Sequence, residues 1–276
     1  MVQDGARLQV TIKPKASWAE VATELIVLNP DHHRYLSLDG LLENVEVDTQ
    51  DPSHVLKDKR YVENAIDLRQ YDISRLPESF GDLSFDGNLL LGNNCITTLP
   101  ESFGRLVVGG GLELCNNHLE SLPASFGNLT IGGDLNLHGN RLCSLPHSFG
   151  SLSIGGRLDL DRNRLVSLPD TFGNLILKGP LFLGNNQLAS LPDTFGNFVL
   201  GDIDNRVVLA LHDNRLKTLP DSIGNLMLSG DLQLKNNDLV SLPETFHNIA
   251  GAIGQIDLDP HLLEESSCSR HQGSLK

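Results

Sequence analysis

His138 and Asp161 are an imidazole and a carboxylate, the two groups a proton-transferring site needs. They stand 23 residues apart in a chain of 276. The spacing recurs around them: Glu113, Asn136 and Asp159 also follow one another at 23 residues, and Arg157 stands two before Asp159. These groups do acid–base chemistry only if the fold gathers them beside a nucleophile and shuts out water. No Ser or Cys nucleophile is set against His138, and Cys115 has nothing near it in the pattern to lower its pKa. His138 and His212 stand three periods apart, about 15 Å at strand spacing, too far for one metal ion. No catalytic residue, metal site or cofactor is therefore expected, and an enzyme using the Glu113–Asp161 patch ranks below a binding face. The sequence has no GxxxxGK[ST], HExxH or GxSxG motif.

The spacing points to the element that positions these residues. The dipeptide Leu-Pro recurs with prolines at 77, 100, 123, 146, 169, 192, 220 and 243, so the steps are 23 except for one of 28. A fixed period of this size marks a solenoid, in which each repeat buries its apolar face only against its neighbours. Within a repeat, Leu135 and Leu137 alternate with Asp134, Asn136 and His138, which predicts a short strand with leucines inward. Asn140 then marks a sharp turn. Its amide both donates and accepts, so stacked asparagines can satisfy the backbone of the turn and bond one another. The matching residues are Asn94, Asn117, Asn163, Asn186, Asn214 and Asn237. Pro146 holds the return segment out of a long helix, and Phe149 closes the core from the far side.

The pattern L-x-L-x-x-N-x-L, followed by L-P-x-S/T-F-G-N-L, resembles the leucine-rich repeat, in its intracellular class, from about Tyr61 to Leu263. The resemblance implies a right-handed solenoid, α/β leaning to mostly β, with parallel strands on a concave face. The family usually has an aliphatic residue three places before the first strand leucine. Here Gly132 holds that place and Ile131 comes one earlier, so two short strands joined at a glycine corner are expected, Leu129 to Ile131 and Asp134 to Leu137.

The outward strand positions predict two columns. The central one runs Asp67, Leu90, Glu113, Asn136, Asp159, Phe182, Ala210, Gln233 and Asp257. Beside it run Arg69, Gly92, Cys115, His138, Asp161, Gly184, His212, Lys235 and Asp259. Phe182 is the aromatic residue of these columns and reads as a binding anchor. Worn repeats are expected at the ends, where Tyr71 takes the asparagine place and Pro260-His261 breaks the pattern, giving about nine coils. Residues 264–276 read as a polar tail. Residues 1–60 read as a small α/β cap docked by Trp18, Leu25 and Leu28, with Ser17 and Glu20 in a capping box, or else as a separate interaction domain. The five extra residues fall near Leu200–Arg206, where Asp202, Asp204 and Asn205 lack the remaining ligands of a calcium loop.

The chain has 21 Lys and Arg against 35 Asp and Glu, a net charge of −14. That sign disfavours nucleic acid and anionic membrane. Four isolated cysteines suit reduced thiols and a cytoplasmic setting. The functional expectation is a protein-interaction scaffold. Its concave face, with Glu113, Asn136, His138, Arg157, Asp159, Asp161, Phe182 and His212, would hold a partner protein or peptide with basic residues. The alternative is an assembly component that binds itself or a larger particle.

Overall fold

The computed structural model describes residues 21–25, 45–47, 56–58, 65–200, 207–249 and 254–262. The expected strand in RLQVTIKP, the capping box, Trp18, Leu28, the tail and residues 201–206 of the insertion lie outside the described residues.

Two parallel sheets run along the repeats, one over their whole length and one over the coils up to Leu200. The larger has nine strands, from Ala65–Asp67 through Leu135–Asn136 and Leu158–Asp159 to Ile256–Asp257. The second has six, from Ser84–Phe85 to Val199–Leu200. The 23-residue period is the register itself: Leu135 pairs Leu158, which pairs Leu181. Across the longer repeat the pairing steps from Leu181 to Leu209 and Phe182 to Ala210, so the five extra residues are absorbed without a slip in the larger sheet. The glycine corner does separate two short strands, Thr130–Ile131 and Leu135–Asn136.

Between the sheets each coil makes one 3₁₀ turn, such as His147–Ser151, entered from an extended proline (Pro146, φ −67°, ψ 153°). The turn stays short because its Phe-Gly pair is packed against the next coil. A Cβ on Gly150 would stand 2.0 Å from the carbonyl oxygen of Thr171. Phe80, Phe103, Phe126, Phe149, Phe172 and Phe195 form a spine of near-parallel rings, 5.8–6.3 Å between centroids and within 9° of coplanar. Ile223 continues it, and Phe198 meets Phe195 edge-on at 5.0 Å.

The asparagines satisfy the backbone of the turn as expected, but through main-chain groups of two coils rather than by bonding one another along the stack. Asn140 Nδ2 donates to the carbonyls of Leu137 in its own coil (3.0 Å) and Leu114 in the coil before (2.9 Å), while Oδ1 accepts from Leu119 N–H (3.0 Å). Asn117, Asn163, Asn186, Asn214 and Asn237 repeat the arrangement. Each asparagine thus rivets its backbone to the preceding backbone. The amide is consumed by main-chain groups that would otherwise be buried and unpaired.

At the first coil Tyr71 donates its N–H to Asn94 Oδ1 (3.1 Å). At the last, Asp259 accepts from the N–H groups of Asn236 and Asn237 (3.2 and 3.3 Å), and His261 Nε2 meets the Leu239 carbonyl (2.8 Å). Residues 21–25 are helical, and Val21, Ala22 and Leu25 join the repeat core fully buried. Ser79 bonds Glu24 across this junction. Val45–Val47 pairs antiparallel with Leu56–Asp58.

Candidate functional site

The nine-stranded sheet displays the candidate columns, but not evenly. Leu90, Asn136 and Ala210 of the central column are buried, at 4%, 9% and 1% exposure. Asn136 was expected to face a partner, yet its Oδ1 turns back to accept the N–H of His138 (3.0 Å). Asp159 does the same for Asp161 (3.1 Å) and Asp67 for Arg69 (3.0 Å). These turns occupy one face of each side chain. The signal was present in the sequence as Asp or Asn two places before the next polar residue. Arg157 also departs from the expected patch geometry: it sits at the corner before its strand and pairs with Asp134, Nε to Oδ2 3.2 Å.

The residues that do come together are His138, Asp159, Asp161 and His212. His138 Nδ1 lies 3.7 Å from both Asp159 Oδ1 and Asp161 Oδ2. That is an ion-pair distance, longer than a hydrogen bond. On the other side, Asp161 reaches over Gly184. Its Oδ1 and the Nε2 of His212 stand 2.6 and 2.7 Å from the point a Gly184 Cβ would occupy. Gly184 therefore lets an acid and an imidazole from coils on either side of it converge. His212 Nδ1 is held by Asp213 (2.7 Å), and Asn185 donates to Asp161 Oδ1 (3.3 Å). Phe182 is half-buried and pairs in register with Asp159.

The electrostatics follow from burial. Asp159 is pushed above the usual carboxylate range, first by burial and then by Asp161; the Asp161 N–H, His138 and Arg157 pull against that rise. The hydrogen bond from His212, then that from Asn236, holds Asp213 below its usual range. Burial, then Glu113, raises the Cys115 thiol. That is the wrong direction for a nucleophile.

Asp159→Asn is expected to stabilise the protein at neutral pH by about 0.5–1 kcal/mol. Asn136 shows at the adjacent register position that an amide makes the same turn. A carboxyl raised on folding binds its proton more tightly in the native state, so its ionisation costs stability above the folded pKa. The gain should shrink as pH falls through that pKa and vanish below the unfolded value. Thermal melts from pH 3 to 7 check this; an equal gain at every pH would remove the electrostatic explanation.

A groove of about 770 Å³ lies elsewhere, between residues 21–25 and the first two Leu-Pro-Glu turns, lined by Glu24, Arg75, Pro77, Glu78, Pro100 and Glu101 among others. Ser79 and Glu24 bond across that junction. The open sheet, by contrast, gathers acidic groups that face solvent in part, and a protein partner needs area rather than a cavity.

Stacked coils, parallel pairing at one period and an asparagine rivet per turn define a parallel β-solenoid. Within that class the chain has the leucine-rich repeat fold. Neither a family model nor a curated protein matches the sequence; solved structures do. The leucine-rich repeat domain of the type III effector XopL is 21% identical with a TM-score of 0.52, over 91% of this chain and 92% of that one. A chain of the Drosophila Toll–Spätzle complex is 24% identical with a TM-score of 0.54, over 77% of this chain and 29% of that one. A Leptospira interrogans leucine-rich repeat protein is 24% identical with a TM-score of 0.49 over 70% of this chain, which spans only 54% of its length.

Proposed function

We infer that the protein is an interaction scaffold whose nine-stranded face binds a partner protein through a basic segment. One observation carries the reading. Asp159 and Asp161, at 15% and 16% side-chain exposure, stand side by side on an open face beside Phe182, and the basic groups near them, His138 and the Arg162 guanidinium, lie no closer than 3.7 Å, beyond hydrogen-bond distance. Burying one carboxylate there costs stability, which makes sense if a partner's Lys or Arg repays it. Glu113 adds charge on one side, and His138 and His212 add imidazoles that can pair with a partner's polar groups. The shared fold with a Toll–Spätzle chain supports a protein partner. Free thiols at Cys95, Cys115 and Cys143 suit a reducing, cytoplasmic setting.

The test is affinity capture from lysate with mass spectrometry, comparing wild type with Asp161→Lys/Phe182→Ala, both checked by thermal melting. A protein held by the wild type and lost by the folded double variant supports the reading. Capture of the same proteins by both forms removes this face as the site. Self-association is a second reading, favoured by Ile176 and Met227, which are 48% and 77% exposed. Sedimentation of the purified chain tests it: a concentration-independent monomer sinks it.

A further inference from the structure

The turn that follows each strand of the larger sheet carries three outward positions per coil: one before the riveting asparagine, one after it and one two further on. In the four coils from Gly139 to Lys217 these twelve positions hold Arg141, Arg162, Arg164, Arg215 and Lys217 against a single carboxylate, Asp213. Asp213 is already bonded to His212 and Asn236. In a chain of net charge −14, cations are thus concentrated on one edge. Arg162, Arg164, Arg215 and Lys217 are exposed and Arg141 is half-buried. Arg162 lies 3.7 Å from Asp161; the other four form no ion pair among the described residues.

Local backbone cost sharpens the point. The position before each riveting asparagine is left-handed in every coil, with φ between 51° and 67°. Asn93, Asn116, Gly139, Asn185, Asp213 and Asn236 suit it; Arg162, at φ 53°, does not. An arginine there is disfavoured by the backbone and gains nothing from packing, since its side chain is 70% exposed.

We propose that this edge is a second interaction surface, separate from the nine-stranded face, and that it binds an extended acidic peptide segment of a partner protein. Neighbouring coils lie about 5 Å apart, so Arg141 and Arg164 start about 5 Å apart, and Arg164 and Arg215 about 10 Å. Alternate residues of an extended peptide repeat every 6–7 Å, a mismatch that long arginine side chains absorb. Val166, Ala189, Ser144, Ser167 and Ser190 between the cations are uncharged and exposed, leaving a shelf for a backbone. A duplex would set its phosphates against the acidic remainder of the solenoid as well, whereas a short peptide meets only the edge within a Debye length of about 10 Å.

The experiment measures fluorescence anisotropy of fluorescein-labelled octaglutamate with the full chain at low salt. Wild type should bind, and more weakly as salt rises. Arg164→Glu/Arg215→Glu should bind at least tenfold more weakly, with melting unchanged because both residues are exposed. Arg164→Lys/Arg215→Lys should stay within a few fold, and Lys178→Glu, an exposed cation in the bend after the second-sheet strand Ile176–Leu177, within twofold. No wild-type binding, or equal losses in Lys178→Glu and the double reversal, would overturn the proposal. So would a labelled DNA duplex that binds as tightly as the peptide and shows the same sensitivity.

Discussion

Phe149→Ala is expected to lower the free energy of unfolding by about 3–5 kcal/mol. The ring is fully buried and lies between Phe126 at 5.9 Å and Phe172 at 6.2 Å, nearly parallel to both. Removing it opens a cavity in the middle of the stack. The site collapses poorly, because the flanking turns are held at backbone distance: the Gly127 Cβ position is 1.7 Å from the Ser148 carbonyl oxygen, and the Gly150 one 2.0 Å from that of Thr171. Two comparisons isolate the cause. Phe149→Leu should cost about 1–1.5 kcal/mol, since Ile223 occupies the matching place in its own coil. Phe246→Ala should cost less than Phe149→Ala, because Phe246 is 7% exposed and belongs to the last complete coil. In a solenoid, stability is a sum over neighbouring interfaces, and an interior coil has two. Denaturant titration of the three variants decides it. Equal costs for Phe149→Ala and Phe246→Ala would mean that the spine is not cooperative along its length.

Asn140→Ala is expected to cost about 1–3 kcal/mol. The wild-type amide makes three hydrogen bonds to buried backbone. The losses are unequal. The Leu114 carbonyl keeps its bond from Asn117, and the Leu137 carbonyl keeps its bond from Asn163. Leu119 N–H loses its partner outright, and a buried orphan donor costs about 1–3 kcal/mol. Asn237→Ala should cost less, because Asn237 is only part-buried and water can reach the freed groups. Chemical denaturation checks the magnitude, and hydrogen exchange at Leu119 checks the mechanism. Exchange there that stays as slow as in wild type would show that another acceptor replaces Asn140.

Both effects are half legible in the sequence. The 23-residue period fixes which residues are neighbours, because parallel pairing of identical coils leaves no other register that keeps every leucine inside. The alternation at Leu135 and Leu137, the glycine corner and the phenylalanine on the far side follow from chemistry within a single repeat. What a side chain does between coils does not follow. The period placed the asparagines in a column, but only the stacked backbones decide that each amide meets carbonyls and an N–H rather than another amide.

The candidate site divides the same way. Alternation put Asn136 and Asp159 outward. The crowding of neighbouring strands decides that Asn136 is buried with its oxygen turned onto His138 N–H, and that the Asp159 carboxyl is pushed up by burial. The spacing sets Asp161 and His212 on the coils either side of Gly184 but does not by itself make them converge. They converge because Gly184, on the coil between, has no side chain to keep them apart. The sequence by itself determined the repeat, its register and its inward face, since those rest on local sterics and the two-residue period of a strand. Tertiary structure decided which polar groups remain available to a partner, since that depends on contacts made between coils.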